Sequence, residues 1–184
     1  MTTYGFDDRM VMSQGVSDDA DIEGILRGAL TGVIGIRAAS LEDDRNGTDW
    51  WVDRVNGRSL SIDVKARRED FALRGQDDLA LELWSVMATA WEGGSIGWTL
   101  DPRKQTDYIL WLWHESGRWC LVPFPLLSAA FKVNYDEWCS YKHAVQTSHR
   151  NGRSWKSECV YVPRVVVWRA MYSLFGGAPG ARVA

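Results

Sequence analysis

The apolar positions Ile22, Ile25, Leu26, Ala29, Leu30 and Val33 recur three and four residues apart, the spacing that gathers side chains on one face of a helix. Ser17 is suited to cap such a helix, and Asp18, Asp19 and Asp21 place negative charge at its N-terminus, so a helix is predicted from Ser17 to about Gly35. Residues 40–47 (SLEDDRNG) read as a loop. Two segments of alternating character follow, 48–55 (TDWWVDRV) and 59–67 (SLSIDVKAR), on either side of Asn56-Gly57, a strong short-range hairpin signal. Residues 79–85 (LALELWS) predict a third strand, 86–91 a short helical turn, and 93–106, punctuated by Gly and Pro, a loop. Residues 107–113 and 118–122 predict another hairpin about His114–Gly117. Pro123 and Pro125 open a helix that runs to about Lys132. A strand at 158–162 and a helix at 164–174, begun after Pro163, complete the pattern. Residues 1–16 show no period and read as loosely structured. The succession predicts an α/β fold with one central mixed sheet of about five strands flanked by helices.

The length of 184 residues suits one domain spanning 1–184. A hydrophobic fraction of 46% and a charged fraction of 24% are those of a globular protein, not of a disordered or fibrous one. No apolar run approaches the roughly 20 residues of a membrane helix, and the first residues lack the basic and apolar blocks of a secretion signal. Cys120, Cys139 and Cys159 match neither a disulfide framework nor a zinc pattern. The expectation is a cytoplasmic protein that does not engage a membrane.

The net charge of −3 weighs against a purely electrostatic nucleic-acid binder, but its distribution is uneven. Residues 1–53 hold eleven acids against four bases, whereas 141–169 hold six bases against the single acid Glu158. Such a chain has acids to hold cations and bases to hold phosphates, and ordinary uneven surface charge explains the same distribution equally well. Of the eleven tryptophans, Trp84, Trp111, Trp113, Trp119 and Trp168 lie within apolar runs and are expected in the core; Trp50, Trp51, Trp98 and Trp155 adjoin polar or turn residues, where a ring is available to stack on a base.

Strand alternation then locates the chemistry. On 59–67, Ile62, Val64 and Ala66 point one way and Ser61, Asp63, Lys65 and Arg67 the other, while Asp49 shares a face with Trp51 on the preceding strand. Pairing across Asn56-Gly57 brings Asp49 near Asp63, with Lys65 one pleat along. Carboxylates crowded on one face repel unless a cation or hydrogen bonds compensate them. Hydrolysis of a phosphodiester needs this set: two hard oxygen donors for Mg2+ and an ammonium to orient a water or balance developing charge.

GTDWWV followed by SIDVKAR resembles the paired motif of the PD-(D/E)XK nuclease superfamily, which includes restriction endonucleases and Holliday junction resolvases of phages and prokaryotes. The resemblance covers about residues 17–113 and leaves 114–184 as further strands and helices. It implies a single restriction-endonuclease-like domain with catalytic Asp49, Asp63 and Lys65. By the same resemblance the upstream helix supplies Glu23 as a further metal ligand beside Asp49 and Asp63. Thr48 stands where the family name has proline, and Asp63 where glutamate is commoner. The implied function is a Mg2+-dependent endodeoxyribonuclease, with Mn2+ able to replace Mg2+, acting on DNA, tilted toward junctions or branches and therefore toward a homodimer.

Glu82, polar within an apolar strand, is a second candidate for the additional ligand or a solvent-facing acid; Glu23 has an alternative as an i,i+4 partner of Arg27. Arg67 and Arg68, which follow the signature, and Arg150, Arg153 and Lys156, around the loop HRNGRSWK, are candidates for phosphate contacts or solvated surface. Asp107 reads as a strand-start residue. His114, His143 and His149 lack metal-site spacing, and no His–Cys pairing matches a nucleophile and its base. The rival to a nuclease is a chain that keeps the fold without catalysis and binds nucleic acid or a protein.

Overall fold

The computed structural model describes residues 21–89, 93–150 and 153–175. The expected Ser17 cap, the acids Asp18 and Asp19 and the loose segment 1–16 lie outside them. The chain is α/β and divides into two compact units, one comprising the residues up to Asp70 with Arg103–Pro125, the other Phe71–Pro102 with the residues from Leu126 onward. Each unit has its own sheet, where one sheet was expected.

In the first unit α1 (Ile22–Ala29) is capped by Asp21, whose carboxylate accepts the Gly24 N–H at 2.8 Å. The helix ends six residues before the expected Gly35. Gly32 adopts φ 69°, and the branched run after it forms strand β1 (Val33–Ala38) instead. The spacing of Leu30 and Val33 fits a helix face as well as it fits a strand, and Thr31-Gly32 decides between them. The expected loop 40–47 contains a short helix, α2 (Leu41–Arg45), opened by a capping box between Ser40 and Asp43.

β2 (Trp50–Arg54) and β3 (Ser59–Arg67) form the expected hairpin, with Gly57 at φ 75° in its turn. β6 (Tyr108–Trp113) and β7 (Arg118–Pro123) form the second hairpin. The sheet order is β1-β2-β3-β6-β7, and β3 and β6 run parallel while the other neighbours are antiparallel. Ile22 and Leu26 of α1 pack against Val52, Leu60, Ile62, Leu110 and Leu112, so the helix covers the apolar face of the sheet. Leu26, Val52 and Ile62 are fully buried, and truncating one such side chain to alanine typically costs about 2–5 kcal/mol. The opposite face carries the odd-numbered residues of β3.

In the second unit β4 (Asp78–Val86), β5 (Ser95–Ile96), β8 (Lys142–Arg150) and β9 (Arg153–Pro163) make an antiparallel sheet ordered β5-β4-β9-β8. The strand read at 79–85 therefore belongs to this sheet. Residues 87–89 form no helical turn, and 93–106 includes β5. Of the polar stretch expected as a loop around residues 149–156, residues 149–150 and 153–156 belong instead to two long paired strands, in register from Lys142↔Tyr161 to Arg150↔Arg153, and Asn151 and Gly152 lie outside the described residues. The unit also holds a 3-10 turn at Phe71–Arg74 and three α-helices: α3 (Phe124–Val133), which begins at the end of the first unit, the short α4 (Tyr135–Trp138), and α5 (Arg164–Leu174). The buried Phe131 and Trp138 meet edge to face with centroids 5.3 Å apart. Of the tryptophans expected in the core, Trp111 and Trp113 are buried, Trp168 is half-buried, and Trp84 and Trp119 are exposed: alternation turns Trp84 away from the face of the buried Leu83, whereas Trp119 shares the face of Leu121 but lies on the edge strand β7.

No helix among the described residues is long and apolar enough to cross a membrane.

Candidate active site

The polar face of the first sheet is built from β3 outward. The antiparallel register Trp50↔Ile62 continues one step, with the Asp49 N–H donating to the Ile62 carbonyl at 2.8 Å, and so sets Asp49 beside Asp63. Asp49 then turns its side chain into the ladder. Its Oδ2 accepts the Val64 N–H at 2.5 Å. On the other side of β3 the parallel register aligns Asp63 with Ile109, Lys65 with Trp111 and Arg67 with Trp113. Ile109, Trp111 and Trp113 are buried, so one wall of the polar face is apolar and poorly hydrated.

Asp63 is 3% exposed and both its oxygens hold ammonium groups. Oδ1 accepts from Lys65 Nζ at 2.7 Å and Oδ2 from Lys104 Nζ at 2.5 Å. Lys104 was not among the residues singled out from the sequence. It sits in the loop before β6, and parallel pairing of β6 with β3 brings that loop to the site. The loop is stitched in place: Thr106 Oγ1 donates to Gly47 O at 2.5 Å, the Asp107 carboxylate accepts the N–H of Ser61, and the Ser61 hydroxyl has that carboxylate and Gln105 O as alternative acceptors at 3.0 and 3.1 Å. Asp107 thus clamps the start of β6, the strand-start role expected of it. Gly47 has φ 86°, a conformation that favours glycine, and a Cβ there would displace the Lys104 ammonium. The Lys104 ammonium also lies 5.7 Å from the centroid of the Phe124 ring.

Electrostatics divide the two acids. Burial and then the charge of Asp63 push Asp49 up to about 6, against the lowering effects of the Val64 hydrogen bond and Lys65. Burial also raises Asp63, but the charges and hydrogen bonds of Lys65 and Lys104 outweigh it and hold Asp63 below the usual carboxylate range. Burial lowers Lys104, against the pull of Asp63. Asp49 is therefore an acid short of positive charge at pH 7, next to one that has two cations. Two adjacent carboxylates, one of them undercompensated, suit a hard divalent cation completed by water and phosphate oxygens.

The remaining candidates do not join them. Glu23 is exposed on α1, which packs on the apolar face, and lies 3.9 Å from Arg27, its i,i+4 partner. Glu82 belongs to the second unit. Its Oε2 accepts the Ser85 hydroxyl at 2.6 Å and the Trp98 N–H at 3.1 Å, tying β4 to the segment after β5. Among the described residues no three His, Cys, Asp or Glu side chains gather as a metal-binding group. Arg67 and Arg68 are exposed at the end of β3, with Arg67 Nη1 donating to Ala66 O at 3.3 Å. Arg150 pairs in register with Arg153 and Lys156 with Thr147, and alternation along β9 puts Lys156 on the face opposite that of Arg153. His143 lies between Glu158 and the Cys139 carbonyl, both at 2.7 Å.

Compared with protein-family models, curated proteins and solved structures, the chain finds no match.

Proposed function

We propose that the first unit is a metal-dependent nuclease centre of the PD-(D/E)XK type that hydrolyses DNA phosphodiester bonds. The observation that carries this reading is the pairing of Asp49 with Asp63 across β2 and β3, with Lys65 on the same face. Asp49 and Asp63 would hold Mg2+ or Mn2+, which when bound would supply Lewis acidity and lower the pKa of water there. Lys65, anchored on Asp63 Oδ1, orients the attacking water or balances charge that develops on the phosphate. The apolar wall of Ile109, Trp111 and Trp113 keeps bulk water from screening these charges, and Arg67 and Arg68 at the end of β3 supply phosphate contacts. A restriction-endonuclease-like relationship, preference for junctions or branches, a homodimer and a cytoplasmic setting accompany the proposal as its corollaries.

One observation favours the rival reading, a non-catalytic protein that binds DNA or a protein partner. Asp63 already has an ammonium on each oxygen, so the centre is compensated without a metal. Cleavage of duplex, single-stranded and branched DNA in Mg2+ or Mn2+ separates the two. The nuclease reading expects metal-dependent cleavage that Asp63→Ala and Lys65→Ala each abolish. Cleavage persisting in both variants, or binding without cleavage by the wild-type chain, would end it.

A further inference from the structure

Two carboxylates, Asp49 and Asp63, face two ammoniums, Lys65 and Lys104, so with all four ionised the buried centre is neutral as it stands. A divalent cation added to it leaves two uncompensated positive charges in a poorly hydrated place. One phosphodiester cancels one of them. Departure of an ammonium relieves the other. Lys65 is held on β3 between two hydrogen-bonded neighbours, two residues from its partner. Lys104 comes from a loop, and beyond Asp63 its ammonium has a long contact to Gly47 O at 3.4 Å and the face of Phe124. Its side chain is only 7% exposed.

We infer that Lys104 is a resident counter-cation, which occupies Asp63 Oδ2 in the metal-free protein and leaves it when a divalent cation binds, so that Lys104 sets the metal affinity of the centre. The inference rests on the metal reading of Asp49 and Asp63. Lys104 then acts as a gate. Metal enters at the cost of one buried ion pair, and the arriving phosphate helps to offset that cost because it accepts the released charge. Metal and nucleic acid therefore bind cooperatively, each more tightly in the presence of the other.

The test uses the full chain, freed of metal with a chelator, and Mn2+ alone as the probe. Calorimetric titration should show Lys104→Met binding Mn2+ about tenfold more tightly than wild type, since one competing unit charge is gone. Asp63→Asn should abolish binding in both backgrounds. As a second measurement on the unaltered protein, acetic anhydride labelling read by mass spectrometry should leave Lys104 protected in chelator and modify it several-fold faster at saturating Mn2+. The labelling decides the matter if Lys104→Met fails to fold. Equal or weaker binding by Lys104→Met, or a Lys104 that stays protected while Mn2+ binds, overturns the inference. Absence of Mn2+ binding in both proteins overturns it together with the metal reading. Tighter binding by Lys104→Met with no cleavage of any DNA overturns the nuclease reading and leaves the counter-cation in place.

Discussion

Asp63 and Asp70 are two nearly inaccessible aspartates of the same unit, 3% and 1% exposed, and their surroundings differ in kind. Asp70 meets one rigid guanidinium. Arg118 donates to both its oxygens, at 2.8 and 2.9 Å, Ser116 Oγ adds a bond at 2.6 Å, and the Arg118 guanidinium lies 4.4 Å from the Trp113 ring centroid. That is a bidentate staple between the end of β3 and the β6–β7 hairpin, and the Glu115 carboxylate accepts the Asp70 N–H at 2.9 Å beside it. Asp63 meets two flexible ammoniums and has Asp49 as a like-charged neighbour. A buried acid that only holds the fold together is given a matched, bidentate cation. A centre that must exchange partners is left with groups in competition, and the strain is visible in Asp49, pushed up to about 6.

The largest expected effect that separates the two is on cleavage. Asp63→Asn should lower metal-dependent DNA cleavage by roughly a thousandfold or more, whereas Asp70→Asn should leave the rate per folded molecule within about threefold of wild type. Steady-state assays with the folded fraction measured in parallel check this, and equal losses would erase the distinction.

On stability the two should look alike. Removing either acid strands buried positive charge, at a cost of about 3–5 kcal/mol in urea denaturation with chelator present. Saturating Mn2+ should then stabilise the Asp70 variant as it does wild type, and leave the Asp63 variant unchanged.

Asp49 should give the opposite sign. Its folded value lies above that of the unfolded chain, so the protonated form favours folding and this contribution is lost as pH rises from about 4 through about 6. Asp63, held low, contributes stability above the ordinary carboxylate range that is lost as pH falls through its folded value. Asp49→Asn, which can still accept the Val64 N–H, should therefore stabilise the metal-free protein at pH 7.5 by about 1–3 kcal/mol while abolishing metal binding. Melting curves across pH in chelator test this, and a destabilised Asp49→Asn would contradict the account of the centre.

The smallest effect belongs to a site outside the comparison. The Cys139 carbonyl and the Glu158 carboxylate both accept from the His143 ring and raise it above the usual imidazole range, since only the doubly protonated ring can donate to both. This contribution is present below the ordinary imidazole value and fades as pH rises through the raised one. His143→Gln should cost under about 1 kcal/mol at pH 6 and nothing measurable at pH 9.

What was readable from sequence was local. The period of two on 59–67 is enough to set Asp63 and Lys65 on one face and Ile62 and Val64 on the other, and Asn56-Gly57 is enough to fold Asp49 back toward them, because both depend only on residues within one hairpin. The apolar runs of β4, β6 and β7 and the Pro163 helix start were legible for the same reason. The apolar end of β9 was legible as the strand 158–162, but β8 and the first half of β9 were not, although Asn151-Gly152 repeats the turn signal, because their residues are too polar to show alternation. β1 was hidden by a spacing that suits helix and strand alike.

Lys104 belongs to the other category. It is 41 residues from Asp63, in a segment with no period, and only the parallel pairing of β6 with β3 carries it to the centre. Parallel pairing joins strands that no short turn connects, so its register is settled by packing of the whole sheet and leaves no mark in either strand alone. Burial is decided at the same level. Whether an aspartate is a solvated surface acid or a charge that must be answered by two lysines depends on what covers it, and Ile109, Trp111 and Trp113 do so only once the sheet has closed around β3.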